Sequence, residues 1–367
     1  MSTDRQNNTK SKIARFISEQ GPVSKGEIAA DLKISMPTTL QHVNDLVRRG
    51  IVVESGLLES TGGRKAKVLS ISPEIGFALG ADCTANHLTL VLVDMSRQIR
   101  CRRRMRLPCV LSYSYYQEIA EILEDFLKEA QVSKEKILGL GISLPGIVNP
   151  REKLLVQSHV LKTAQVSLRG LEHVLGFPYR VENDANSAAY AELKGMAENT
   201  VYLALSNTVG GAVCLHGRLH SGENFRGGEF GHMIIQKGGR PCYCGRRGCV
   251  DTYCSARLLQ QLGGDSLEEF FMKLRHRDPA CVSAWEEYLD YLAITVTNLR
   301  VSFDCDVVLG GYVGGYLEEF RAELDRKVME YNLFDLDTSY LKTGRYKLEA
   351  AAYGAALPFV DGFFENI

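Results

Sequence analysis

Three cysteines fall within eight residues of this chain, in Cys242-Tyr243-Cys244-Gly245-Arg246-Arg247-Gly248-Cys249, and a histidine precedes them in Gly228-Glu229-Phe230-Gly231-His232. Cysteine and histidine at this spacing are the donors of a tetrahedral Zn2+ site, and four protein ligands leave no open position, so the ion is structural. His232, Cys242, Cys244 and Cys249 therefore oblige the chain to fold back on itself here. Glycines at 238, 239, 245 and 248 let so short a segment wrap a small ion. The other seven of the ten cysteines read as small apolar packing residues. The start, MSTDRQNNTKSK, has no apolar signal core, and nowhere do 18 apolar residues run together. The expectation is a cytoplasmic protein in a reducing compartment, with no membrane span.

A length of 367 residues implies two or three domains. Lysine and arginine number 43 against 44 acidic residues, a net charge of −1 that argues against nucleic acid as a partner. The average conceals a division. Residues 1–70 hold 11 basic and 7 acidic side chains, a net of +4; the remainder holds 32 and 37, a net of −5. A basic head on an acidic body suggests two different partners.

The head reads as three helices and two strands. Ile13, Phe16 and Ile17 recur at helical spacing over residues 9–19, and Gly21-Pro22 ends that helix. Ser24 with Glu27 forms a capping box for the second helix. Ser35 caps the third, with Pro37 in its first turn, and Leu40, Val43, Leu46 and Val47 are its expected buried stripe. The opposite face then carries Thr38, Thr39, Gln41 and His42, short or hydrogen-bonding side chains of the kind that reach base edges in a major groove. Residues 51–54 and 66–71 read as strands around Thr61-Gly62-Gly63-Arg64-Lys65, where Arg64 and Lys65 supply charge to a phosphate backbone. The whole is a winged helix-turn-helix pattern over residues 1–72.

From residue 73 the pattern becomes α/β. Strand-like runs at 76–82, 87–94 and 100–107 precede a helix at 116–130, a strand at 137–143 and Leu144-Pro145-Gly146. A strand at 179–182, a helix at 183–195 and a second β-β turn from 201 follow, then Val308-Leu309-Gly310-Gly311. Strands alternating with helices in two successive halves imply two lobes and a cleft.

These motifs together resemble the ROK family (repressors, open reading frames and sugar kinases). The zinc loop of residues 228–255, Leu144-Pro145-Gly146, Glu182-Asn183-Asp184-Ala185-Asn186 and Val308–Gly311 carry the likeness, which extends over the chain. The resemblance implies a duplicated, actin-like (ribonuclease-H-like) ATPase fold in residues 73–367 and a homodimer or homotetramer. In the family's kinases the residue matching Asp184 takes the proton from a sugar hydroxyl. The likeness also places Asn183, Glu229, His232 and Asp251 in a sugar pocket, with Gly146 at its wall. Asp251 stands where the family usually has glutamate, one methylene longer.

The phosphate-binding motifs depart further. The family's DxGGT turn is here Asp82-Cys83-Thr84-Ala85-Asn86, and GTGIGGG is Ser206-Asn207-Thr208-Val209-Gly210-Gly211-Ala212. Added Cβ atoms obstruct the approach of polyphosphate to backbone N–H groups. The expectation is a sugar-responsive transcriptional regulator, a repressor without enzymatic activity, that binds operator DNA through its head and a sugar or sugar phosphate in its body. The alternative is an ATP-dependent sugar kinase with Asp184 as base.

Overall fold

The computed structural model describes residues 2–57, 67–192 and 197–367. The chain divides into two compact units: Met1–Ile142 with Leu168–Val181 and Ala355–Ile367, and Ser143–Ser167 with Glu182–Gly354. Among the described residues no helix is long and apolar enough to cross a membrane.

The first unit begins with helices α1 (Ser2–Gln20), α2 (Lys25–Asp31) and α3 (Met36–Arg48), followed by strands β1 (Val52–Leu57) and β2 (Lys67–Ile71). Helix α1 starts ahead of its apolar stripe, because no glycine or proline in residues 2–8 stops it. The capping box forms as the sequence requires: Glu27 N–H donates to Ser24 Oγ (3.2 Å) and Ser24 N–H to Glu27 Oε2 (2.6 Å). Ile13, Ile17, Ile28, Val43, Leu46 and Leu69 make the core of this part. Strand β2 pairs antiparallel with β1 on one side. On the other, Leu69 exchanges backbone hydrogen bonds with Val23 (2.8 and 3.0 Å), which ties the hairpin to the entry of α2. The loop expected to carry Arg64 and Lys65 lies outside the described residues.

The buried stripe of α3 differs from expectation by one position. Thr39, His42, Val43 and Leu46 are inside, while Leu40 and Val47 are exposed. Thr39 and His42 are thus not on the outward face. Thr39 can be buried because its hydroxyl donates to the Ser35 carbonyl oxygen (3.1 Å), leaving its methyl to pack. Burial, then the nearby Lys10, lowers the pKa of His42, so its ring is neutral in place. Thr38 and Gln41 do face outward.

The first large sheet has the order β10-β6-β3-β4-β5, with β3 (Phe77–Cys83), β4 (His87–Asp94), β5 (Ile99–Arg106), β6 (Ile137–Leu144) and β10 (Tyr179–Asn183). Helices α4 (Tyr113–Glu129) and α5 (Leu171–Leu175) accompany it. The second unit repeats the pattern in β13-β12-β11-β14-β15, formed by β11 (Thr200–Leu205), β12 (Val209–Leu215), β13 (Arg218–Leu219), β14 (Asp306–Gly310) and β15 (Leu341–Thr343). Numbered within each sheet, both read 3-2-1-4-5, the mark of a duplicated α/β unit. A small sheet of β7 (Ile147–Asn149), β8 (Leu154–Ser158) and β9 (Thr163–Ser167) completes the strands. Helices α6 (Asp184–Glu192), α7 (Asp251–Cys254), α8 (Ala256–Leu262), α9 (Leu267–Arg275) and the long α10 (Pro279–Phe303) belong to this unit. Its core centres on Trp285 of α10, stacked on Tyr288 (5.3 Å) and edge-on to Phe271 (5.2 Å).

Within the first unit a buried cation joins distant segments. Arg97, in the turn between β4 and β5, pairs with Glu19 of α1 (3.4 Å) and with Asp361 of the C-terminal helix, Ala350–Glu365. Arg15 of α1 also reaches Asp361 (3.6 Å) and Glu365 (3.5 Å). Ser18 Oγ donates to the Met95 carbonyl oxygen (2.7 Å), and Ser96 Oγ to that of Ile71 (3.2 Å). Only 7% of the Arg97 side chain is exposed, so its removal leaves the enclosed Asp361 carboxylate with only the more distant Arg15 as counter-charge. Arg97→Met is expected to cost about 3 kcal/mol and lower the thermal midpoint by several degrees, read by calorimetry. An unchanged midpoint would mean that these charges are solvated.

Candidate functional site: a histidine and cysteine cluster beside buried carboxylates

The segment from Gly228 to Cys254 has little regular structure, only a single 3-10 turn at Phe230–His232 and the four-residue α7. Short backbone bonds close it: Cys242 N–H donates to the Arg246 carbonyl oxygen (2.8 Å), and Gly245 N–H to that of Cys242 (3.0 Å). Gly248 has φ +80°, and a Cβ there would stand 1.7 Å from the Gln236 carbonyl oxygen, so only glycine fits. These turns bring the ligand atoms of His232, Cys242, Cys244 and Cys249 within 4.8 Å of one another. Cys244 Sγ is 3.8 Å from Cys249 Sγ, and Cys242 Sγ is 3.8 Å from His232 Nδ1. With metal–sulfur bonds of about 2.3 Å, the edge of a ligand tetrahedron is about 3.8 Å. The four predicted donors are thus assembled at distances that fit one tetrahedral ion.

His232 faces two ways. Its Nδ1 is turned to the cysteines, while its Nε2 lies 3.9 Å from Glu229 Oε2. A bound ion on Nδ1 leaves Nε2–H as a fixed donor beside that carboxylate.

The remaining predicted residues converge from β10, α6 and the turn after β6. Asn183 Nδ2 donates to the Gly146 carbonyl oxygen (2.9 Å) and to Asp184 Oδ1 (3.0 Å). Ala185 N–H donates to the same Asp184 oxygen (2.9 Å). A Cβ on Gly146 would stand 2.4 Å from the Gln157 carbonyl oxygen, which brings the β8 strand against this turn. Burial pushes the Asp184 carboxyl up to about 6, against the pull of its hydrogen bonds. Burial also raises Glu229, with the charge of Asp184 adding to it. Asp251 rises to about 6 for the same first reason.

Asp251 is committed elsewhere. Its Oδ2 accepts from Val209 N–H (2.7 Å), and the Tyr243 hydroxyl also hydrogen-bonds its carboxylate. The shorter side chain therefore braces the start of β12. Tyr243 is held well above the ordinary range for a phenol by burial and then by the charges of Asp251, Glu229 and Asp184, and its ring packs edge-on to His232 (5.3 Å). His159, after β8, lies 6.0 Å from His232 and 6.2 Å from Tyr243. Neither Tyr243 nor His159 was singled out from sequence. Tyr243 carried a signal, its place between two ligands; His159 carried none.

The two altered phosphate loops have other occupations. In the Asp82–Asn86 turn, Thr84 N–H bonds the His87 carbonyl oxygen (2.9 Å), and Thr84 Oγ1 accepts from His87 N–H (3.0 Å). In the other loop, Gly210 and Gly211 belong to β12 and pair with Ala204 and Leu203. A Cβ on Gly210 would meet Ala185 Cβ at 2.9 Å, and one on Gly211 the Phe230 ring at 2.2 Å. These glycines are explained by packing.

The ROK family model matches residues 78–360, and the chain belongs to the ROK family. The xylose repressor of Bacillus subtilis (strain 168) is 25% identical over 97% of this chain and 95% of its own length. The DNA-binding transcriptional dual regulator NagC of Escherichia coli (strain K12) is 24% identical over 68% and 63%. Among solved structures, a ROK family transcriptional regulator described as a homologue of the E. coli MLC protein superposes with a TM-score of 0.74 at 19% identity, covering 98% of each chain. A ROK family glucokinase from Streptomyces griseus, in complex with glucose and AMPPNP, gives 0.65 at 21% identity over 77% of this chain and 99% of its own. The actin-like ATPase architecture is thereby shared with both regulators and kinases.

The raised carboxyls set a pH dependence. A carboxyl whose native pKa lies above its unfolded value favours folding below the unfolded value, near 4, and that contribution is lost as pH rises through about 6. Asp184→Asn removes this loss at one site. The variant is expected to gain thermal stability over the unsubstituted protein at pH 7.5 and to match it near pH 4. An equal difference at both values would show that Asp184 is not held above its ordinary range.

Proposed function

We propose that the protein is a carbohydrate-responsive transcriptional repressor in the cytoplasm, with a DNA-binding head in residues 1–72 and an effector-binding ROK domain in residues 73–367. The observation that carries this reading is a three-helix head in the same chain as a cluster of polar and acidic side chains, in a protein whose two altered phosphate loops are each closed by their own bonds. The similarity to a xylose repressor along almost the whole chain, head included, supports it.

The head fits a winged helix-turn-helix, with α3 as recognition helix. Its outward residues Thr38, Gln41 and Asn44 offer hydrogen bonds to base edges, and exposed Leu40 offers apolar contact to a thymine methyl. Arg64 and Lys65 are assigned to the wing by sequence alone. A dimer or tetramer of this chain would place two such helices on the half-sites of a palindrome.

In the effector pocket Asn183, Asp184, Glu229 and His232 supply the polar contacts, with Gly146 at the wall and Asp251 acting through Tyr243. A sugar hydroxyl donates to a carboxylate and accepts from His232 Nε2–H, while Asn183, both of whose Nδ2 hydrogens are engaged by Gly146 and Asp184, holds the Asp184 carboxylate in place. Three carboxylates about one site disfavour a phosphate group, so an uncharged sugar suits it better than a sugar phosphate. Zn2+ is the ion proposed for the cysteine and histidine cluster, where it would hold Glu229, His232 and Tyr243 in fixed relation. The chain is not expected to transfer phosphate from ATP.

A duplex selected from a random pool, followed by fluorescence anisotropy with a panel of monosaccharides, tests the reading. One sugar is expected to change DNA affinity at least fivefold, and Asp184→Ala to abolish that response while leaving DNA binding intact. ATP-dependent phosphorylation of a sugar, lost in Asp184→Ala, would overturn it. For the metal, Cys249→Ser is expected to lower zinc content by about one ion per chain and to weaken sugar binding.

A further inference from the structure

Strand β5 reads Ile-Arg-Cys-Arg-Arg-Arg-Met-Arg, five arginines and no acidic residue in eight positions, within a body whose net charge is −5. It is the outer strand of the first sheet. Exposure alternates along it, so Arg100, Arg102, Arg104 and Arg106 share one exposed face. Arg103 turns the other way, over the Phe126 ring of α4 (5.4 Å). At about 3.4 Å per residue, successive arginines are spaced by about 7 Å and the stripe runs for about 20 Å. Burial, then Arg104 and Arg106, lowers the pKa of His87 of β4, which stands opposite Arg106.

The position of the stripe is as informative as its sign. Strand β5 starts directly after the turn that contacts the head, where Ser18 reaches Met95 and Ser96 reaches Ile71. Arg100 itself is bonded to Asp94 (3.4 Å) and to Glu74 (3.5 Å), one turn beyond the head's last strand. The arginines therefore lead away from the DNA-reading part of the same compact unit.

We propose that this face of β5 is a second DNA contact, which grips the phosphodiester backbone of duplex flanking the sequence read by the head. The proposal rests on the DNA-binding reading of the head. A duplex carries one phosphate per about 3.4 Å of helix axis on each strand, so the four exposed arginines, spread over about 20 Å, are matched by an excess of phosphates on the flanking duplex. Guanidinium groups bind phosphate oxygens through paired N–H donors and carry no acceptor. Contacts of this kind add affinity and set orientation without reading sequence. The competing explanation is that the charges only keep an edge strand from pairing with another sheet.

The experiment uses the full-length protein, the double variants Arg102→Gln/Arg104→Gln and Arg102→Lys/Arg104→Lys, and selected duplexes with and without flanking base pairs. Affinities are measured from 50 to 200 mM salt, with circular dichroism melts to confirm folding. The unsubstituted protein is expected to bind the flanked duplex more tightly, whatever the flank sequence. The Gln pair is expected to lose that gain, with a log–log salt slope shallower by about 2, at about 0.9 per phosphate contact. Over this fourfold salt range it should lose about twelvefold less affinity than the unsubstituted protein. The Lys pair is expected to retain the slope. A folded Gln variant with unaltered slope and flank dependence would overturn the proposal and leave edge protection as the role of the stripe. Failure of the unsubstituted protein to bind any duplex would instead overturn the reading of the head.

Discussion

The site depends on a cluster of four donors in a segment that has almost no regular structure. A backbone of turns cannot by itself hold Glu229, His232, Tyr243 and Asp251 to the tolerance that recognition of a small polar molecule needs. A metal ion held by His232 and the three cysteines would supply that rigidity, since each donor comes from a different turn. His232 belongs to both parts, with Nδ1 among the sulfurs and Nε2 toward Glu229. Any disturbance of the cluster is therefore felt first at the carboxylates, before it reaches the aromatic core around Trp285.

The Asp251 carboxylate is taken up by the scaffold of the site. Asp251 accepts from Val209 N–H and bonds Tyr243, so it joins the zinc-type loop to the start of β12. The backbone donor at Val209 is thereby occupied. Gly210 and Gly211 are held in place by the close approach of Ala185 and Phe230. What looks like a remnant of a phosphate loop is a packing requirement of β12, and the tight Thr84 turn of the first unit shows a comparable closure. The fold that the chain shares with kinases survives these changes because strand order and core do not depend on the loops.

Much of this was legible in the sequence. Donor spacing identified the cluster, capping residues marked the helix starts, and strand alternation gave the α/β class and its repetition. Polarity alone points the wrong way on α3, where Thr39 and Leu40 are neighbours at the edge of the buried stripe. A hydroxyl bonded to the Ser35 carbonyl costs little to bury, so Thr39 went in and Leu40 stayed out. His159 was not legible at all: it meets His232 and Tyr243 only through the folding of the β7–β9 sheet, and nothing in its local sequence marks it. Asp251 is marked in the sequence by its place two residues after Cys249, but its partner Val209 lies in another element and only the structure names it.

Arg97 binds Glu19 near the start of the chain and Asp361 near its end. A chain synthesised from its N-terminus can make the head, the turn at Arg97 and most of the body before Asp361 exists. The charge cluster against α1 is then incomplete until Asp361 has been added and has folded back. A chain interrupted before residue 361 leaves Arg97 and Arg15 without their most enclosed shared partner, so a break far along the sequence is felt at the first helix.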